Sequence, residues 1–319
     1  MSPQDGAAPP LVEEVRTVCC VGAGTIGGGW AAYFLARGYD VVAWDPAPDA
    51  EQRLRHLVDA AWPALTQLGL AEGADPSRLR VETDLATALA QAQFVQESAP
   101  EELELKIELL ADIDAATPPG VVVSSSTSGY GMSEMQVACA HPERTVVGHP
   151  FNPPYLIPLV EVVGGTATSP EVVAWTSDFY RHVGKSVITM EREVPGFIAN
   201  RLQEALWREA LHMVAEGEAT VEQIDLSITD GPGLRWPVQG PMLTFHLAGG
   251  QGGMAQMLDH FGPSLKSPWT RLVAADLTPE LRDAVVDGCD REAEGRSIDD
   301  LVAERDAGVI AVLRALGRT

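Results

Sequence analysis

Val15-Arg-Thr-Val-Cys-Cys-Val21, followed at once by Gly22-Ala-Gly-Thr-Ile-Gly27, decides the fold. The first run is apolar or β-branched at nearly every position, as a strand covered on both faces requires. A helical pattern over residues 30–37 follows the glycines, and a second strand over 39–44 ends at Asp45. Strand, glycine turn and helix, with an acid about twenty residues on, form a dinucleotide-binding arrangement. Gly22 permits the tight turn, Gly24 lets the backbone approach a pyrophosphate, and Gly27 lets helix and strand pack closely. Thr25 and Ile26 open the helix, whose free N–H groups and positive dipole end face the phosphates. Asp45 would accept hydrogen bonds from the adenosine ribose hydroxyls and repel a 2′-phosphate. Pro46-Ala47 offers no compensating arginine, so NAD is expected rather than NADP. Gly28 and Gly29 each cost about 1 kcal/mol relative to alanine inside a helix. Close packing against the sheet or against the cofactor would explain them, and the residues do not separate the two.

Outward from this unit, strands and helices alternate. Strand patterns cover residues 79–81, 94–97 and 121–125, and helical ones cover 49–70 and 101–116. The last of these carries Leu103, Ile107, Leu110 and Ile113 as its inner stripe. Alternation of this kind gives a doubly wound parallel sheet, with ligands at the carboxyl ends of its strands. Two β-branched runs, 145–148 and 159–163, then flank a proline-rich connection that excludes helix. His149 closes the first run and Glu161 lies in the second. Side by side, these strands would set an imidazole against a carboxylate, the pairing a general base needs. A buried histidine satisfied by an acid reads equally well at this point. The serines at 124–126 suit turn hydrogen bonding, while Ser128 falls at a strand end.

The expected fold class is α/β: an N-terminal Rossmann-type doubly wound sheet followed by an all-α C-terminal domain. The expected domains are 1–192, a NAD-binding domain with a flexible arm at 1–12, and 193–319, a helical substrate and dimerisation domain. Helices are expected over 197–216, 221–229, 242–248, 254–261 and 281–289, with a last one capped by Ser297-Ile-Asp-Asp300. The helix over 197–216 is apolar on more than one face and is expected to be buried on several sides. This much apolar surface suggests a twofold dimer.

The 319 residues, 45% hydrophobic, suffice for two domains. The net charge of -23 argues against nucleic acid and against an anionic membrane surface. Cys19, Cys20, Cys139 and Cys289 lack metal-ligand spacing, no metal is expected, and no apolar run reaches membrane-spanning length. The polar, proline-rich start is not a signal peptide. A cytoplasmic protein is expected.

Several ordered motifs resemble the 3-hydroxyacyl-CoA dehydrogenase superfamily over a match from about Val15 to the C-terminus. They are Gly22-Ala-Gly-Thr-Ile-Gly27, Ser126-Thr-Ser128, His149-Pro-Phe-Asn-Pro153, Leu159-Val-Glu161 and Val194-Pro-Gly-Phe-Ile-Ala-Asn-Arg201. The resemblance implies that His149 is the general base, that Glu161 orients it, and that Ser128 and Asn200 hold the reacting oxygen. It also implies that Glu101 and Lys106 lie near the nicotinamide ribose.

Two stretches point away from acyl-CoA within that resemblance. Residues 46–80 contain no lysine where acyl-CoA members carry a lysine-bearing segment, so CoA phosphates would find few cations there. Gly231-Pro-Gly-Leu-Arg-Trp236 sets Arg235 beside Trp236, and a bidentate guanidinium suits a free carboxylate. The alternative is a surface arginine stacked on the tryptophan. Tyr130, Trp207, Trp236, Phe245 and Trp269 could face a quaternary ammonium, at ~0.5–2 kcal/mol each, although aromatics at such spacing also build cores. The expected activity is NAD-dependent oxidation of the 3-hydroxyl of a small L-3-hydroxy acid, best matched by L-carnitine. L-gulonate and a 3-hydroxyacyl-CoA are the alternatives. A non-catalytic, crystallin-like NAD-binding protein is the alternative from another class.

Overall fold

In a computed structural model that describes residues 8–262, 270–271 and 275–318, eight strands form one sheet. They are β1 (Thr17–Val21), β2 (Asp40–Trp44), β3 (Leu79–Glu82), β4 (Phe94–Glu97), β5 (Val122–Ser125), β6 (Thr145–Pro150), β7 (Leu159–Val163) and β8 (Ser186–Met190). Their order is β3-β2-β1-β4-β5-β6-β7-β8. Pairing is parallel from β3 through β6, antiparallel between β6 and β7, and parallel again between β7 and β8. Order reverses beside β1, which is where a doubly wound sheet opens its ligand crevice.

The helices of this part are α1 (Thr25–Ala36), α2 (Ala50–Leu68), α3 (Leu85–Leu89), α4 (Leu103–Ala116), α5 (Met132–Met135) and α6 (Pro170–His182). Alternation along β1 divides them between two faces. Val18 and Cys20 join one core with Trp30 and Phe34 of α1, Leu54 of α2, and Phe179 and Tyr180 of α6. Cys19 and Val21 join the other, with Leu89 of α3, Leu110 and Ile113 of α4, and Met132 and Met135 of α5. Both adjacent cysteines are therefore fully buried, on opposite faces. Burial pushes the Cys19 thiol up to about 12 and the Cys20 thiol well above its usual range, so neither is a ready nucleophile.

The stripe of α4 differs from expectation. Ile107 is only half-buried, whereas Lys106 is fully buried one position earlier, because its ammonium finds carboxylates inside.

Contacts divide the chain into Met1–Asn200 and Arg201–Thr319. The remaining helices are α7 (Ala199–Ala215), α8 (Val221–Thr229), α9 (Pro241–Ala248), α10 (Gly253–Phe261), α11 (Pro279–Ala293) and α12 (Ile298–Ala315). Capping boxes at Thr220/Gln223 and Ser297/Asp300 start α8 and α12. The expectation that the helix over 197–216 is buried on several sides fails, because α7 has no buried residue. Leu202, Leu206 and Trp207 are exposed among the described residues. Among the described residues no helix is long and apolar enough to cross a membrane.

Candidate active site

The glycine turn has the shape a dinucleotide needs. Gly22 sits at φ +100°, where a Cβ would lie 2.6 Å from the Ser98 carbonyl oxygen, and at Gly27 a Cβ would collide with the Gly22 carbonyl. A Cβ at Gly24 would meet nothing within 4 Å, which leaves the backbone open to a ligand at the N-terminus of α1. The neighbouring glycines have packing reasons: Gly28 lies against Leu57 of α2, and Gly29 against Pro154. Asp45 follows β2 and accepts from Ala23 N at 2.8 Å and Ala47 N at 2.9 Å. The two positions after Asp45 are Pro46 and Ala47. An arginine arrives from a turn further on, with Arg53 Nη2 3.4 Å from Asp45 Oδ1. Gly22, Gly24, Thr25, Ile26, Gly27 and Asp45 thus line one end of the sheet and fit a dinucleotide.

His149 and Glu161 are direct register partners across β6 and β7. Nδ1 of His149 lies 3.0 Å from Oε2 of Glu161, and both side chains are buried. The other carboxylate oxygen accepts the N–H groups of Ile198 and Ala199, each at 3.0 Å, at the start of α7. Burial works to raise the Glu161 carboxyl, but these three bonds outweigh it and hold it below its usual range. The turn that delivers the two N–H groups is strained, with Phe197 fully buried at φ +53° after Gly196 at +69°. Phe197 and Phe151 flank the imidazole, their ring centroids 5.2 and 4.8 Å away. The connection between β6 and β7 is tied down by Lys185. Its Nζ donates to the carbonyls of Pro154 and Ile157 and lies 3.9 Å from the centroid of the Tyr33 ring. Burial pushes this ammonium well below its usual range.

A second cluster gathers on Glu101. Its Oε1 accepts from Thr127 Oγ1 at 2.7 Å, from the N–H groups of Ser128 and Gly129 at 2.8 Å each, and from Ser128 Oγ at 3.3 Å. Burial opposes ionisation there too, but the Thr127 hydroxyl, Lys106 and the two N–H groups hold the carboxyl below its usual range. Lys106 lies between Glu97 Oε1 at 2.8 Å and Glu101 Oε2 at 3.6 Å. Glu97, unremarked in the sequence, is fully buried and also accepts from Ser125 Oγ and from Ala99 N at 2.6 Å. Its only sequence signal was an acid closing the short strand Phe94-Val-Gln-Glu97. Asn200 Nδ2 donates to the Ser128 carbonyl at 3.1 Å. The segment 198–200 therefore touches both the Glu161 and the Ser128 clusters, and Ser128, Asn200, Glu101 and Lys106 form one network.

The expected substrate residues are less gathered. Tyr130 is half-buried against the core of α4 and α5. Arg235 and Trp236 follow the 3₁₀ turn Pro232–Leu234, and both are exposed, as is Phe245 on α9. Among the described residues no carboxylate pairs with the Arg235 guanidinium and no ring stacks on it, so the stacked alternative is not seen. Trp269 lies outside the described residues.

Comparison with known proteins is consistent along the chain. Residues 17–194 match the family model of the 3-hydroxyacyl-CoA dehydrogenase NAD binding domain, and residues 196–282 match that of its C-terminal domain. The chain is 74% identical to an L-carnitine dehydrogenase of Streptomyces coelicolor, over 96% of both proteins. It is 73% identical to one of Streptomyces griseus, over 98% of this chain and 93% of that protein. Among solved structures, 5-formyl-3-hydroxy-2-methylpyridine 4-carboxylic acid 5-dehydrogenase, an NAD+-dependent dismutase, superposes with a TM-score of 0.81. It is 29% identical, over 95% of this chain and 99% of that one. The chain belongs to the 3-hydroxyacyl-CoA dehydrogenase family, as an NAD-dependent dehydrogenase acting on a CH–OH group.

Proposed function

We propose that the chain oxidises L-carnitine to 3-dehydrocarnitine. The observation that carries the substrate is the 74% identity, along nearly the whole chain, to a protein named L-carnitine dehydrogenase. The chemistry rests on His149 and its neighbours. Glu161, held ionised by Ile198 and Ala199, accepts the Nδ1–H of the imidazole and so leaves Nε2 free as an acceptor. Nε2 takes the proton of the C3 hydroxyl, and Glu161 stabilises the imidazolium that forms. NAD, when bound, supplies the acceptor for the hydride from C3. Ser128 Oγ and the second N–H of Asn200 hold the oxygen as it becomes a carbonyl. Phe151 and Phe197 keep water from the imidazole.

The free carboxylate and the trimethylammonium ask for different partners. Arg235, exposed and without a carboxylate of its own among the described residues, offers a two-donor fork to the first. Trp236 and Phe245 offer aromatic faces to the second, at ~0.5–2 kcal/mol each. The test is NADH formation at mildly alkaline pH with L-carnitine, L-gulonate and L-3-hydroxybutyryl-CoA in parallel. A kcat/KM for L-carnitine at least ~10-fold above both others is expected, because the CoA ester lacks the free carboxylate and L-gulonate lacks the quaternary ammonium, and such contacts discriminate by about that much. Preference for the CoA ester would overturn the assignment of Arg235 and of the lysine-free segment 46–80.

A further inference from the structure

Arg53 stands where the second strand of the sheet meets the glycine turn, the place at which this fold holds the adenosine ribose. Its guanidinium is fixed on three sides. Nη2 lies 3.4 Å from Asp45 Oδ1, Nη1 lies 3.0 Å from Asp49 Oδ1, and Nε donates to the Ala23 carbonyl at 3.3 Å. Ala23 belongs to the glycine turn itself, and its own N–H is held by Asp45 Oδ2 at 2.8 Å. The side chain is 38% exposed while that of Asp45 is 16% exposed, so the arginine is the more accessible of the two. One guanidinium between two carboxylates leaves the cluster with a net charge of minus one. The ribose hydroxyls of NAD add no charge, whereas a 2′-phosphate adds about two negative ones.

We propose that Arg53 is a second determinant of cofactor choice, a phosphate-binding arginine that Asp45 holds neutralised. Asp45 acts twice: it repels a 2′-phosphate directly, and it occupies the cation that lies beside it. Asparagine at position 45 keeps a carbonyl oxygen for a loop N–H and removes the charge. The freed guanidinium already lies beside the ribose position with its fork constrained by Ala23 and Asp49, and a planar fork of this kind suits phosphate. The proposal rests on NAD binding at the glycine turn and not on the identity of the substrate.

The test is direct binding of NADH and NADPH by titration calorimetry to the wild type, D45N, D45N/R53M and R53M. D45N is expected to tighten NADPH binding by at least ~10-fold, the lower range for a hydrogen bond to a charged group, and the double variant is expected to lose that gain. A gain that survives in D45N/R53M, or no gain in D45N, overturns the proposal. R53M alone decides the matter if D45N does not fold. It should weaken NADPH at least ~3-fold more than NADH, because without the guanidinium Asp45 and Asp49 set two negative charges rather than one against the 2′-phosphate. Equal effects on the two cofactors would refute the role of Arg53.

Discussion

At the scale of the residue, Glu161 does the most with the least. One oxygen faces the imidazole and the other holds two backbone N–H groups, so a single carboxylate fixes both the base and the turn beside it. Its carboxyl lies below the usual value of 4.5 in the folded chain. A depressed carboxyl stabilises the fold above the unfolded value and loses that contribution as pH falls through the folded one. E161Q should therefore be less stable than the wild type at pH 7. The difference should shrink below about pH 4.5, read as thermal midpoints across pH. The same variant should lower kcat by at least ~10-fold, as loss of an orienting partner does. Unchanged kcat in E161Q would mean that Glu161 is only a buried acid satisfying a histidine.

At the scale of the element, legibility followed the reach of local pattern. The strand-glycine-helix unit, the β6–β7 pair, the boundaries of α8 and the start of α12 were readable, because periodicity, glycine and capping residues are local signals. The register of His149 on Glu161 was readable because a short proline-rich connection restricts how two strands can align. Arg53 was not readable in role: its partner Asp45 lies eight positions back, and only the turn into α2 brings them together. Glu97 and Lys106 were opaque for a similar reason. A buried ion pair looks in sequence like an acid and a lysine at the ends of ordinary elements. The N–H groups of Ile198 and Ala199 carry no side-chain signature. Nothing in the residues Pro195-Gly-Phe197 says that Phe197 adopts a positive φ.

At the scale of the whole molecule, many large apolar side chains of the second unit are exposed among the described residues: Trp207 is 57% exposed, Val238 75% and Ile298 76%. Apolar surface of this extent marks an interaction face, and a second copy of the chain is the occupant we propose for it. Sedimentation at micromolar concentration should give a homodimer, and monomer alone would contradict it. The high negative charge disfavours an anionic sugar acid relative to a zwitterion of no net charge. Everything in the first unit converges on one imidazole with a carboxylate behind it. Turnover of L-carnitine by H149A, measured beside its NADH dissociation constant, tests that convergence most directly. Loss of at least ~100-fold in kcat, the low end of general-base contributions, is predicted, with NADH binding retained. Near-normal turnover in H149A would contradict it.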